Sequence, residues 1–147
     1  MTEMERIADQ LRRSFDGPAW HGPAVKQVLK GVSAAQAAHK PIPSAHSIWE
    51  LVLHMATWQD VVRRRALGEK VKVTVKDETA WKAAVTRLEA VHRDLERTVA
   101  NLPERRLDEA LVPGGNIGFV QLHGIVQHDL YHAGQIAILK KVLRAER

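Results

Sequence analysis

The 147 residues carry a net charge of +5 and no cysteine, which excludes disulfides, thiolate zinc sites and a cysteine nucleophile and leaves His, Asp and Glu as the available metal ligands. One folded domain over residues 1–147 suits this length. The absence of an apolar run of about 18 residues, and of a leader in the opening Met1-Thr2-Glu3-Met4-Glu5-Arg6, leads us to expect a cytoplasmic chain with no membrane span.

Thr2-Glu3-Met4-Glu5 is a capping box, and Met4, Ile7, Leu11 and Phe15 continue it as an apolar helical stripe that stops at Gly17-Pro18. Residues 17–46, broken by Gly17, Pro18, Gly22, Pro23, Gly31, Pro41 and Pro43, read as a long crossover with one short helix from about Ala24 to Lys30. Ser47-Ile48-Trp49-Glu50 is a second capping box. It opens a helix with Ile48, Leu51, Val52, Met55, Val62 and Ala66 at helical spacing as far as Gly68. The alternating stretch 70–76 has no partner strand and reads as an extended connector. A third long helix is expected from about Val75 to Leu102, with Trp81, Val85, Leu88, His92, Leu95, Val99 and Leu102 on its seam and Pro103 ending it. After Pro113-Gly114-Gly115 a fourth runs from about Ile117 to Arg144. The fold class is therefore all-α: a four-helix bundle with a long crossover between the first and second long helices.

The last helix carries a stripe of Ile125, His128, His132, Ile136, Leu139 and Leu143, which places two imidazoles four residues apart on the buried seam. Buried ring nitrogens need partners, and a shared metal ion or hydrogen bonds to Gln127, Asp129 or Gln135 would supply them. His54, beside Leu51, Met55 and Trp58 on a facing helix, is the natural third metal ligand. Three imidazoles leave a fourth position open, as catalytic metal sites do. Glu50 lies one turn before His54 but also serves its capping box, the favoured role. Asp129 and Gln135 are candidates to orient a ligand ring. His92, on the third seam, reads as a core histidine before a fourth ligand. Gly134 is expected to admit close helix packing.

His46-Ser47-Ile48-Trp49-Glu50-Leu51-Val52-Leu53-His54 with Trp58, together with His128-Asp129-Leu130-Tyr131-His132-Ala133-Gly134-Gln135-Ile136, resembles the two metal-binding helices of the DinB/YfiT superfamily. The resemblance spans nearly the whole chain and implies a four-helix bundle in which His54, His128 and His132 bind a divalent ion, zinc or nickel, completed by water. It also implies a homodimer. Family members include bacillithiol S-transferases, mycothiol-dependent maleylpyruvate isomerases and proteins described as metal-dependent hydrolases, so a low-molecular-weight thiol and a small-molecule substrate enter as expectations. The crossover motif Ala19-Trp20-His21-Gly22-Pro23 resembles a subgroup and brings His21 to the expected pocket mouth, with Trp58 and His92 as further pocket candidates. The competing reading is a non-catalytic homodimeric bundle that binds metal or a ligand without turnover. Val62, Leu67 and Val91 are the apolar residues expected to pair two copies. The basic stretches Arg63-Arg64-Arg65 and Lys140-Lys141 with Arg144 and Arg147 suit helix C-termini, and with aromatics at 5% and no recognition motif, no nucleic-acid partner is expected.

Overall fold

Reciprocal hydrogen bonds between Thr2 and Glu5 begin helix α1 (Glu3–Asp16) in the computed structural model, which describes residues 1–146 and so leaves Arg147 outside the described residues. Met4, Ile7, Leu11 and Phe15 are all buried along one face of α1. The helix ends at Gly17, whose φ of 87° is open to glycine and costly for other residues. The crossover contains two short helices rather than one. In α2 (Val25–Leu29) the Gln27 side-chain carbonyl accepts from the Ala24 N–H at 2.7 Å. In α3 (Ala34–Ala38) Ser33 and Gln36 cap each other.

Ser47 and Glu50 form the expected box at the head of α4 (Ile48–Ala66). Helix α5 (Trp81–Ala100) starts about six residues later than the periodicity predicts. Val75 is exposed, so an earlier start would bury nothing, while Trp49 and Trp81 hold the neighbouring chain in place. Their indole N–H groups donate to the Glu78 carbonyl at 3.1 Å and the Val32 carbonyl at 2.9 Å. A 3-10 turn (Glu104–Leu107) leads to α6 (Gly118–Ala145). At its start a Cβ on Gly118 would lie 2.0 Å from the Arg106 carbonyl oxygen, so only glycine permits this chain crossing. Helices α1, α4, α5 and α6 form the bundle, and no strand occurs among the described residues.

Two apolar clusters fill the interior. One gathers Phe15, Leu51, Met55, Leu88 and Ile136, the other Met4, Leu11, Val62, Leu95 and Leu122. Val62 is thus core rather than dimer surface, because α4 buries more of its circumference than a single stripe. On α4, α5 and α6 alike one fully sealed polar residue falls between the segments feeding the two clusters: Gln59, His92 and Asp129, each 0% exposed. Gln59 joins the other two. Its amide N–H donates to Asp129 Oδ1 at 2.8 Å, and its carbonyl accepts from His92 Nδ1 at 3.2 Å. The His92 ring stacks on Phe15 with centroids 4.1 Å apart.

Burial lowers the His92 pKa to about 4 and raises that of Asp129 to about 7, so neutral forms are favoured for both. The consequences for stability oppose each other. As pH falls from 6.5 towards 4, the unfolded chain takes up protons on His92 and His128 that the folded state resists, so stability is lost. Asp129 acts in reverse, because its stabilising protonation is complete below its ordinary 3.8 and disappears as pH rises through about 7. Two histidines outweigh one carboxyl. The urea midpoint of metal-free protein should therefore fall on acidification from pH 6.5 to 4, by an amount on the order of a few kcal/mol in stability. A His92→Gln variant should show a shallower dependence, and a midpoint that rises on acidification would contradict the assignment.

Candidate metal centre

Helical geometry places His128 and His132 one turn apart on α6, and the packing of α4 against α6 brings His54 to them. His54 Nε2 lies 3.0 Å from His128 Nε2, and His132 Nε2 lies 3.1 Å from the same atom. One ring nitrogen from each residue falls within 4.8 Å of the others, so the group can hold a metal ion. Gln135 fixes one tautomer. Its side-chain carbonyl accepts from His132 Nδ1 at 2.6 Å, so the proton sits on Nδ1 and the Nε2 lone pair faces the other two rings. A single proton on His128 Nε2 cannot serve both neighbours well, and His128 Nδ1 is buried without a hydrogen-bond partner among the described residues. A cation at the centre would take up the Nε2 lone pairs, though not the His128 Nδ1, so the donor set fits a divalent ion with imidazole ligands.

The electrostatics suit that role. Burial, then the neighbouring His132 and His54, lowers the His128 pKa to about 4, and burial followed by His132 and His46 lowers that of His54. Both rings are held in the neutral form that ligation requires. A cavity of about 400 Å³ adjoins the cluster, lined by Lys40, His46, Glu50, Leu53, His54, Val75 and His132.

A model of the DinB superfamily matches residues 19–136, from the crossover turn through the site helix. The chain belongs to the DinB superfamily. No curated protein and no solved structure matches it. Of the two residues expected to orient a ligand ring in this DinB-superfamily chain, Gln135 contacts a site imidazole and Asp129 does not, being turned into the core towards Gln59. Glu50 caps α4 and lines the cavity. Its carboxylate is held by His46 and Lys40, each at 3.1 Å, with no hydrogen bond to His54.

The three pocket candidates lie elsewhere. His21 borders a separate cavity with Asp9, Arg13, Trp20, Val126 and Leu130, since the crossover turn sits against α1 and α6. His92 is sealed in the core against Phe15. Trp58 packs on the second apolar cluster under the Arg65 guanidinium, 5.7 Å from its ring centre. His46 takes the place expected of His21, because the chain entering α4 rather than the one leaving α1 forms the rim. Its nearness to His54 in sequence, and Glu50 between them, was the available signal. Gly134 has no neighbour within 4 Å of a built Cβ, so it admits no close packing inside this chain.

Proposed function

We propose that this DinB-superfamily chain is a cytoplasmic enzyme that binds one divalent ion, zinc or nickel, on His54, His128 and His132 and performs thiol transfer or hydrolysis on a small molecule. The observation that carries the reading is the convergence of three imidazole Nε2 atoms beside a cavity of a size suited to a small ligand. A bound divalent ion supplies Lewis acidity and lowers the pKa of a water or thiol at its open position. The chain's own residues do the rest. Gln135 keeps the His132 lone pair aimed inward, and Leu53 and Val75 give the cavity apolar walls that limit water. Lys40 and His46 stand at its rim, neutralised in part by Glu50, where they can contact a polar end of the substrate. Arg63 is paired with Asp60 and Arg64 with Glu69, which favours a small-molecule substrate over a phosphate backbone in this reading.

Metal titration tests the proposal first. Zinc or nickel added to chelator-treated protein should bind one per chain, with affinity falling as pH drops through the histidine range. Binding should raise the melting temperature, while the metal-free bundle remains folded on its apolar core. Failure to bind either ion at micromolar concentration would remove the site, and complete unfolding in chelator would make the ion structural. A panel of low-molecular-weight thiols with several electrophiles, run on metal-loaded protein beside a set of hydrolysable esters and amides, then separates transfer from hydrolysis. Metal binding with no turnover in any assay would favour the non-catalytic bundle.

A further inference from the structure

The crossover turn Ala19-Trp20-His21-Gly22-Pro23 has no part in the metal centre, yet its shape is closely defined. The Gly22 N–H donates to the Ala19 carbonyl at 3.4 Å, and Gly22 has a φ of 145°, a backbone that other residues seldom adopt. Pro18 and Pro23 flank the turn, each with its φ fixed by the ring. Trp20 is thereby presented in one place, wholly exposed. An uncovered indole adds nothing to folding, because an aromatic side chain stabilises through the area it buries.

Trp20 borders a cavity of about 620 Å³, within the usual range for small-molecule sites. The other walls come from two helices. Val126 and Leu130 of α6 give it apolar ground, and at about 100° per residue they lie on the side of α6 opposite His128 and His132. Asp9 and Arg13 of α1 bring charge. Asp9 accepts from Arg12 on one oxygen and from Arg13 Nε on the other, both at 2.7 Å, so its charge is already answered and offers little to a cationic ligand. Arg12 also donates to the Gly17 carbonyl at 3.4 Å. Arg13 differs from it. The two terminal nitrogens of Arg13 make no hydrogen bond among the described residues, and together they form the fork that takes both oxygens of a carboxylate. Two guanidinium groups against one carboxylate leave a single positive charge at this wall, which matches a monoanion.

We infer that this cavity is a second ligand site, separate from the metal centre, that takes a planar aromatic monocarboxylate, with the ring on Trp20, Val126 and Leu130 and the carboxylate on Arg13. Binding there needs no metal. Isothermal titration of chelator-treated protein with 2-naphthoate should give one site per chain with a sub-millimolar dissociation constant. Arg13→Gln should weaken binding roughly tenfold or more, as loss of a charged hydrogen bond does, and Trp20→Ala roughly three- to tenfold. Both side chains are exposed, so neither substitution opens the core. His132→Ala, which breaks the metal centre, should bind 2-naphthoate as the parent chain does. 2-Naphthamide, which lacks the charge, and cyclohexanecarboxylate, which lacks the flat ring, should both bind more weakly. In nitrogen-15-labelled protein the Trp20 indole signal should move more than those of Trp49, Trp58 and Trp81. Absence of saturable binding, indifference to both Arg13→Gln and Trp20→Ala, equal binding of the amide, tighter binding of 2-naphthylmethylamine, or loss of binding in His132→Ala would each overturn the inference.

Discussion

Replacing His132 by alanine should reduce zinc affinity far beyond the roughly 10–100-fold typical of losing a residue that only supports a ligand, and should abolish any metal-dependent turnover. The variant loses the ring nitrogen 3.1 Å from His128 Nε2 and with it the only imidazole whose inward lone pair is fixed by a hydrogen bond to Gln135. Gln135→Ala keeps all three rings but frees the His132 tautomer. Its loss of affinity should fall within roughly that 10–100-fold range, with rate suffering more than binding. His92→Gln should bind metal almost as the parent chain does, since its ring is sealed away from the site. One isothermal titration series on the three variants orders them. If the His92 variant lost metal as fully as the His132 variant, the open three-histidine site would be wrong.

The largest expected loss of stability is at Phe15. Its ring is 0% exposed, stacks on His92 and lies under the Arg93 guanidinium, 5.7 Å from the ring centre. Phe15→Ala should cost about 3–5 kcal/mol, the usual range for removing a buried aromatic side chain. That is a large part of the roughly 5–15 kcal/mol by which a domain is stable. It also strips one face of His92, so water gains access to a ring whose pKa of about 4 comes chiefly from burial. Urea unfolding of Phe15→Ala and Phe15→Leu at neutral pH checks this, with the leucine variant retaining most of the stability. Equal loss in both would mean that the volume of the side chain is not what matters there.

The apolar stripes and the capping boxes at Thr2 and Ser47 were enough to read the four long helices and the crossover. Helix α3 was missed although Ser33 and Gln36 carry a capping-box spacing, because Ala34–Ala38 has no apolar stripe to draw attention to it. The late start of α5 was hidden because periodicity says nothing of where the supporting surface begins. Convergence of His54 with His128 and His132 could be anticipated from helix faces. The outline of the cavity could not, since His46 and His21 differ only in how the crossover lies over the bundle. Gln59, and the turn of Asp129 towards it rather than towards a ligand ring, escaped for a related reason. A residue-by-residue count of apolar positions treats a polar side chain as outward, whereas these two are hydrogen-bonded to one another inside.

That internal pair has a consequence for the ion. Gln59 follows His54 along α4 by about 7.5 Å of helix rise, and Asp129 directly follows His128 on α6. The two helices are therefore bolted together by an amide–carboxyl contact a little below the place where their imidazoles meet. Most of the ordering that a floppy ligand set would undergo on capture has already happened during folding. Little configurational freedom remains to be surrendered, and little slack remains for adjustment. Such a cage discriminates by radius and bond angle: it should accept small ions content with few nitrogen ligands and turn away large, oxygen-seeking ones such as calcium, which need room that these two fastened helices do not yield.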